Sequence, residues 1–198
     1  MIAPFLVAVD PGLDAAGVSV FDLGVSMPKL GLQTADPWRP GESFQRVLGR
    51  LMRYEVIRTS PDWPLPRRLG LLARGLREIV PMQGCAHVLI ERSRIAGVYA
   101  RARQRQQTKN AINAAALEKL FFAIGALTAG AYSTTDSVEL IPAPNIAKQI
   151  RQRSVVFALR KLDHPITRRA RPSPDLLDSI WLGATWLAHP ARREQCVA

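Results

Sequence analysis

Thiols, imidazoles, acidic groups and long apolar runs are all scarce in this chain. Its 198 residues hold two cysteines, Cys85 and Cys196, and three histidines. No CxxC pair and no zinc-ligand spacing can be drawn from them, so a thiol-redox centre and a structural zinc site are excluded, and a reducing compartment is expected. The longest apolar stretch, Leu120 to Gly130, is too short to span a bilayer and follows directly on Glu118 and Lys119. The opening MIAPFLVAVD lacks a basic n-region and reaches Asp10 too soon for a signal peptide. A soluble cytoplasmic protein, or one of another DNA-containing intracellular compartment, is therefore expected. Acid is outnumbered, with 16 Asp+Glu against 27 Lys+Arg and a net charge of +11. A surface this basic concentrates phosphate backbones, which makes nucleic acid the expected partner and leaves no call for a membrane.

What is present fits one globular domain over 1–198, since 47% of the residues are hydrophobic. Phe5 to Val9 is continuously apolar and runs into Asp10-Pro11-Gly12, the pattern of a buried central strand ending in a turn. Gly17 to Leu23 reads as its hairpin partner, and a third strand is expected near Leu30 to Thr34. A segment at about 36–66, rich in Pro and Trp, surrounds an expected helix from Glu42 to Arg58. Leu65, Leu69, Leu72, Leu76 and Ile79 recur at helical spacing from near Pro66, and His87 to Ile90 forms a buried strand delivering Glu91. Further on come a helix from Ala111 to Ala131, a strand from Val138 to Ile141, and a basic helix from Asn145 to Leu162. Ser173-Pro174-Asp175 then opens the last helix with a capping Ser, Pro at the first position and acid in the first turn. The order of three strands, helices, strand, helix, strand, helices predicts an α/β fold with a mixed sheet between helical layers.

Two of these strands end in a carboxylate, Asp10 and Glu91, and the last helix opens with Asp175 and Asp178 on one face. Each has an ordinary reading as well: Asp before Pro-Gly forms turns, and acid in a first helical turn complements the macrodipole. Together they suit phosphodiester cleavage, which needs an oxygen nucleophile and compensation for charge on the leaving oxygen. Two divalent ions about 4 Å apart supply both, and Mg2+ takes oxygen ligands, with no histidine or thiolate required.

In order along the chain, VAVDPGLDAAGVSVFD, HVLIE, NAAALEKLFFAIG, the Pro144 to Lys148 segment and DLLDSIWLGATWLAH resemble the successive motifs of RuvC-type Holliday junction resolvases. The likeness covers most of the chain. It departs in the stretch before Glu91, which is expanded, in Phe121-Phe122, where the family has Gly-Gln, and in a shortened loop after Lys148. The resemblance implies a ribonuclease H-like fold with a five-stranded mixed sheet and a crossover junction endonuclease. Asp10, Glu91, Asp175 and Asp178 would hold two Mg2+ ions, with Mn2+ as a substitute, and Lys148 would lie near the scissile phosphate. It also implies a homodimer that nicks four-way DNA junctions in pairs, leaving 5′-phosphate and 3′-hydroxyl ends. Alternatives on the same residues are another ribonuclease H-like nuclease, such as a ribonuclease or a transposase-like enzyme, and a noncatalytic basic nucleic-acid binder.

The segment after Glu91 carries Arg92, Arg94, Arg101, Arg103, Arg105 and Lys109 around Tyr99. Basic residues leaving such a site suit phosphate tracking, and an interleaved aromatic suits stacking on an unpaired base; the same composition also suits a solvated loop. Lys148, Arg151, Arg153, Arg160 and Lys161 make a second basic patch, in which Arg151 and Arg153 are expected to bind DNA, and Arg168, Arg169 and Arg171 make a third just before the last helix. His87, His164 and His189 are read as packing, loop and helix-end groups.

Overall fold

The computed structural model describes residues 5–23, 42–80, 85–92, 114–135, 137–143, 146–168 and 172–188. Among them, strands β1 (Phe5–Asp10) and β2 (Ala15–Asp22) are followed by helix α1 (Glu42–Leu48), strand β3 (Leu51–Arg58) and helix α2 (Leu65–Ile79). Strand β4 (Cys85–Arg92), helix α3 (Ala114–Tyr132), strand β5 (Val138–Pro142), helix α4 (Lys148–Lys161), a 3-10 turn (Pro165–Thr167) and helix α5 (Pro174–Ala188) complete the order. The five strands form one sheet in the order β3-β2-β1-β4-β5. β2 runs antiparallel to β1 and β3, while β4 lies parallel to β1 and β5.

Strand periodicity divides the core. Leu6, Ala8, Phe21 and Leu89 face a layer made by α1, α4 and α5. Val7, Val9, Val18, Val20, Val88 and Ile90 face the opposite layer of α2 and α3. Alternate residues of a strand point to opposite faces, so both faces of the central strands are apolar because both are covered. This is the three-layer, ribonuclease H-like arrangement that the resemblance implies. Helix α5 is buried without interruption from Leu176 to Leu187, as an element apolar on all sides must be. It lies against β1 and β2 on one side and α1 and α4 on the other, with Trp181 packed on Phe44 at 5.2 Å between ring centroids.

One expected element is corrected. The chain from Glu42 to Arg58 is not a single helix: α1 stops at Leu48, a turn through Gly49 and Arg50 closes with Arg50 N donating to Val47 O at 2.9 Å, and Leu51–Arg58 is strand β3. Arg53, Glu55 and Arg58 give this stretch a polar pattern that resembles a solvated helix. An edge strand with one partner tolerates such charges, and pairing with β2 from Ala15↔Arg58 to Phe21↔Leu51 decides the conformation. The sheet's third strand in sequence is therefore β3. The strand expected near Leu30 to Thr34 lies outside the described residues, and the basic helix begins at Lys148 rather than Asn145.

Two close approaches seat α5 on the sheet. A Cβ at Gly17 would collide with the carbonyl of Asp175 and lie 2.7 Å from Leu176 N, and one at Gly183 would meet the Phe21 ring and stand 3.1 Å from the Ala8 Cβ. On the other face Arg68, 6% exposed, pairs with Asp14 and donates through Nε to Thr59 Oγ1 at 3.1 Å. Thr59 in turn donates to Leu13 O at 2.6 Å, so the turn after Asp10 is held from α2 and from the residue that follows β3.

Gly17→Ala is expected to force α5 away from β2, because the obstruction is backbone and cannot rotate aside. The cost should be about 2 kcal/mol, a fall in Tm of about 5 °C. Gly70→Ala, where a new Cβ meets nothing within 4 Å, should be neutral or stabilising. Thermal melts of both variants check this, and equal melting temperatures would refute the contact.

Candidate active site

Asp10 lies on the same face of β1 as Leu6 and Ala8, and Glu91 on the same face of β4 as Leu89, so both point towards the α5 layer. They are brought side by side because β1 and β4 pair in parallel with Val9 opposite Ile90. Asp10 is also opposite Gly17, the position that admits the first turn of α5, and so Asp175 and Asp178 arrive against the end of β1. The four acids predicted from sequence thus come together at one end of the sheet. Asp178 is fully buried, the side chains of Asp10 and Glu91 are nearly so, and Asp175 is partly exposed.

Helix α4 inserts two cations among them. The Lys148 ammonium stands 3.0 Å from Asp178 Oδ2, 3.6 Å from Asp175 Oδ1 and 4.0 Å from Asp10 Oδ2. Arg151, one turn later, donates from Nη1 to Glu91 Oε2 at 3.1 Å and holds Nη2 3.4 Å from Asp178 Oδ1. Gln152 donates from Nε2 to Asp178 Oδ2 at 2.9 Å. Lys148, Arg151 and Gln152 stand at i, i+3 and i+4, one face of one helix, which is the sequence signal that would have marked them as a unit. Arg151 was expected in a DNA-binding patch, but it is 7% exposed and engaged with two carboxylates. Arg92 and Arg153 are exposed. Arg94, Tyr99, Arg101, Arg103, Arg105 and Lys109 lie outside the described residues.

Burial is the main reason that the Asp10 carboxyl is held well above the ordinary carboxylate range, with repulsion from Glu91, Asp178 and Asp175 adding to it and Lys148 opposing. Burial also raises Glu91, against the attraction and hydrogen bond of Arg151. For Lys148 burial works against the charge, but the Asp178 hydrogen bond and the attraction of Asp10, Asp178 and Asp175 outweigh it and raise its pKa. Four carboxylates face two cations, so the fully ionised cluster carries two negative charges in excess.

As placed, the acids are matched to Lys148 and Arg151: among the described residues no three His, Cys, Asp or Glu side chains form a group arranged to hold a metal ion. The donor chemistry nevertheless suits a hard divalent cation. All four acids offer carboxylate oxygens, the excess charge of the fully ionised cluster is negative, and Asp178 Oδ1 is buried without a hydrogen-bond partner. The two described histidines, His87 and His164, take no part. His87 stacks on Trp186 at 5.2 Å and bonds to Ser137 and Glu139, and His164 Nδ1 accepts from Ile166 N.

What fold and carboxylate cluster together define is a ribonuclease H-like fold with an acidic cluster at the ends of its middle strands. No protein-family model and no curated protein matches the sequence. Among solved structures the chain is similar to Thermus thermophilus RuvC in complex with a Holliday junction substrate, at 20% identity over 93% of each chain with a TM-score of 0.60. It is also similar to a second Thermus thermophilus RuvC structure, at 19% identity over 93% of each chain with a TM-score of 0.57. This likeness is one of fold.

The raised Asp10 pKa has a consequence for stability. The folded state holds that proton more tightly than the unfolded chain, so Asp10 favours folding at low pH, and the benefit is lost as pH rises through the folded value. Asp10→Asn should therefore raise Tm by several degrees in metal-free buffer at about pH 7, and by nothing near pH 3.5, below the ordinary Asp pKa of about 3.9. Melts of both proteins across this range check the sign; a destabilised Asn variant at neutral pH would refute it.

Proposed function

We propose that this chain is a metal-dependent, structure-selective endonuclease of the RuvC type that resolves four-way DNA junctions by paired nicks. The observation that carries the reading is the gathering of Asp10, Glu91, Asp175 and Asp178, with an excess of negative charge, at the end of a ribonuclease H-like sheet. Buried like charges are costly and are retained where function uses them. The fold likeness to a protein solved with a Holliday junction supports the substrate class, and the net charge of +11 supports a polyanionic one.

In this reading Asp10, Glu91, Asp175 and Asp178 would hold two Mg2+ ions, for which Mn2+ would substitute. Bound divalent cations would activate water and offset charge on the leaving oxygen. The remaining work falls to the chain's own groups. Arg151, buried between Glu91 and Asp178, fixes the orientation of both. Lys148, half exposed and shared among three acids, is free to exchange a carboxylate for a phosphate oxygen and orient it for in-line attack. Arg92 and Arg153, with Arg94, Tyr99, Arg101, Arg103, Arg105 and Lys109, contact the DNA. The products are 5′-phosphate and 3′-hydroxyl ends.

Labelled four-way junction, linear duplex and RNA–DNA hybrid, each incubated with and without magnesium, test the reading. Junction should be cut only with metal, and Asp10→Asn or Glu91→Gln should lower single-turnover cleavage by at least about a thousandfold while leaving junction binding equal or stronger. Preferential cleavage of the hybrid would assign a ribonuclease instead, and near-normal cutting by both variants would reject the site.

Paired nicks require two centres, which a twofold dimer supplies. On α3, Phe121 and Phe122 are each 45% exposed and Tyr132 is 54% exposed, an apolar face suited to a second copy. Light scattering across micromolar concentrations should give a dimer that Phe121→Glu dissociates. A strict monomer, with junction present, would refute both the dimer and the paired cut.

A further inference from the structure

Next to the acidic cluster, α4 and the start of α5 enclose an open groove of about 780 Å³, of which the nuclease reading uses only Arg153. Arg153, Phe157 and Arg160 from α4 line one wall, and Thr167, Pro174 and Leu177 line the other. None of the described residues lining it is acidic. Phe157 is 60% exposed, far more than an aromatic on a core-packed helix requires, and the Lys161 ammonium lies over its ring at 4.7 Å from the centroid. Arg153, Phe157 and Arg160 stand at i, i+4 and i+7, so two guanidinium groups flank one aromatic face along about 10 Å of helix.

We infer that this groove binds an unpaired DNA strand, with Phe157 stacking on a base and Arg153 and Arg160 holding the phosphates on either side. Alternating aromatic and cationic groups match the repeat of a single strand, whose bases expose their faces; a paired duplex buries them in its stack. A second copy of this chain is a poor occupant, because the groove's charged lining is Arg153 and Arg160 alone and a strongly basic chain offers it little acid. Gln152 ties the groove to the acids: it lines the groove, donates to Asp178 Oδ2 at 2.9 Å and approaches Pro174 O at 3.4 Å. A strand lying in the groove therefore passes directly beside the carboxylates. This inference rests on the nuclease reading and narrows its substrate to DNA with an unpaired strand beside the scissile phosphate.

Fluorescence anisotropy with a labelled oligothymidylate of about 12 nucleotides, titrated in EDTA, tests the groove without any cleavage. Phe157→Ala should weaken binding about tenfold, and Phe157→Trp should restore it with quenching of the new indole emission. Arg153→Ala and Arg160→Ala should each lower the slope of log K against log salt by about 0.7. Unchanged affinity in Phe157→Ala would overturn the inference, as would displacement of the oligonucleotide by oligoglutamate at equal charge, which would mark the groove as a site for acidic peptides. Because binding is read without metal, these outcomes are separate from those of the cleavage assay.

Discussion

The closeness of α5 to the sheet is the constraint on which the rest of this structure depends. Where β2 has Gly17, the backbone of Asp175 and Leu176 rests on the strand, and where α5 has Gly183, the Phe21 ring and the Ala8 methyl fill the space. A helix seated at side-chain distance would carry its first turn away from Asp10. At this distance Asp178 becomes fully buried, and Asp10 and Asp175 come within reach of one lysine. Packing density and site geometry are thus one requirement, met by two residues that contribute no side chain.

The second consequence is electrostatic. Carboxylates removed from water demand compensation, and α4 supplies it with one buried and one half-exposed cation. The two are not equivalent. Arg151 is enclosed and binds two acids in a fixed fork, whereas Lys148 is a point charge on a flexible stem with half its side chain in solvent. The division leaves one cation fixed among the acids and the other with room to change partners. It also explains why the cluster is poorly balanced without further positive charge: a site optimised for the stability of the empty protein would not bury this many acids.

Much of the architecture was legible because local pattern and tertiary environment agree. The apolar run ending at Asp10, the spacing of Leu65 through Ile79 and the Ser-Pro-Asp helix start each specify their element, and each is found within a few residues of its expected bounds. Leu51–Arg58 is ambiguous in sequence for the opposite reason. Its charges fit an exposed helix as well as an edge strand, and only the hydrogen bonds offered by β2 select between them. The Pro- and Trp-bearing stretch is accordingly no mere insertion, since part of it closes the sheet.

The sequence by itself determined which residues carry acid at the ends of buried strands and at a helix start, because strand alternation and helix capping are local rules written in neighbouring residues. Whether Asp10, Glu91, Asp175 and Asp178 share one site was decided only by tertiary structure, since their meeting depends on parallel pairing of β1 with β4 and on the seat that Gly17 offers α5. The same holds for Arg151, whose charge reads as surface until the helix that bears it is placed. Burial is a property of the assembled layers, and it turns an arginine suited to a phosphate into the counter-ion of two carboxylates.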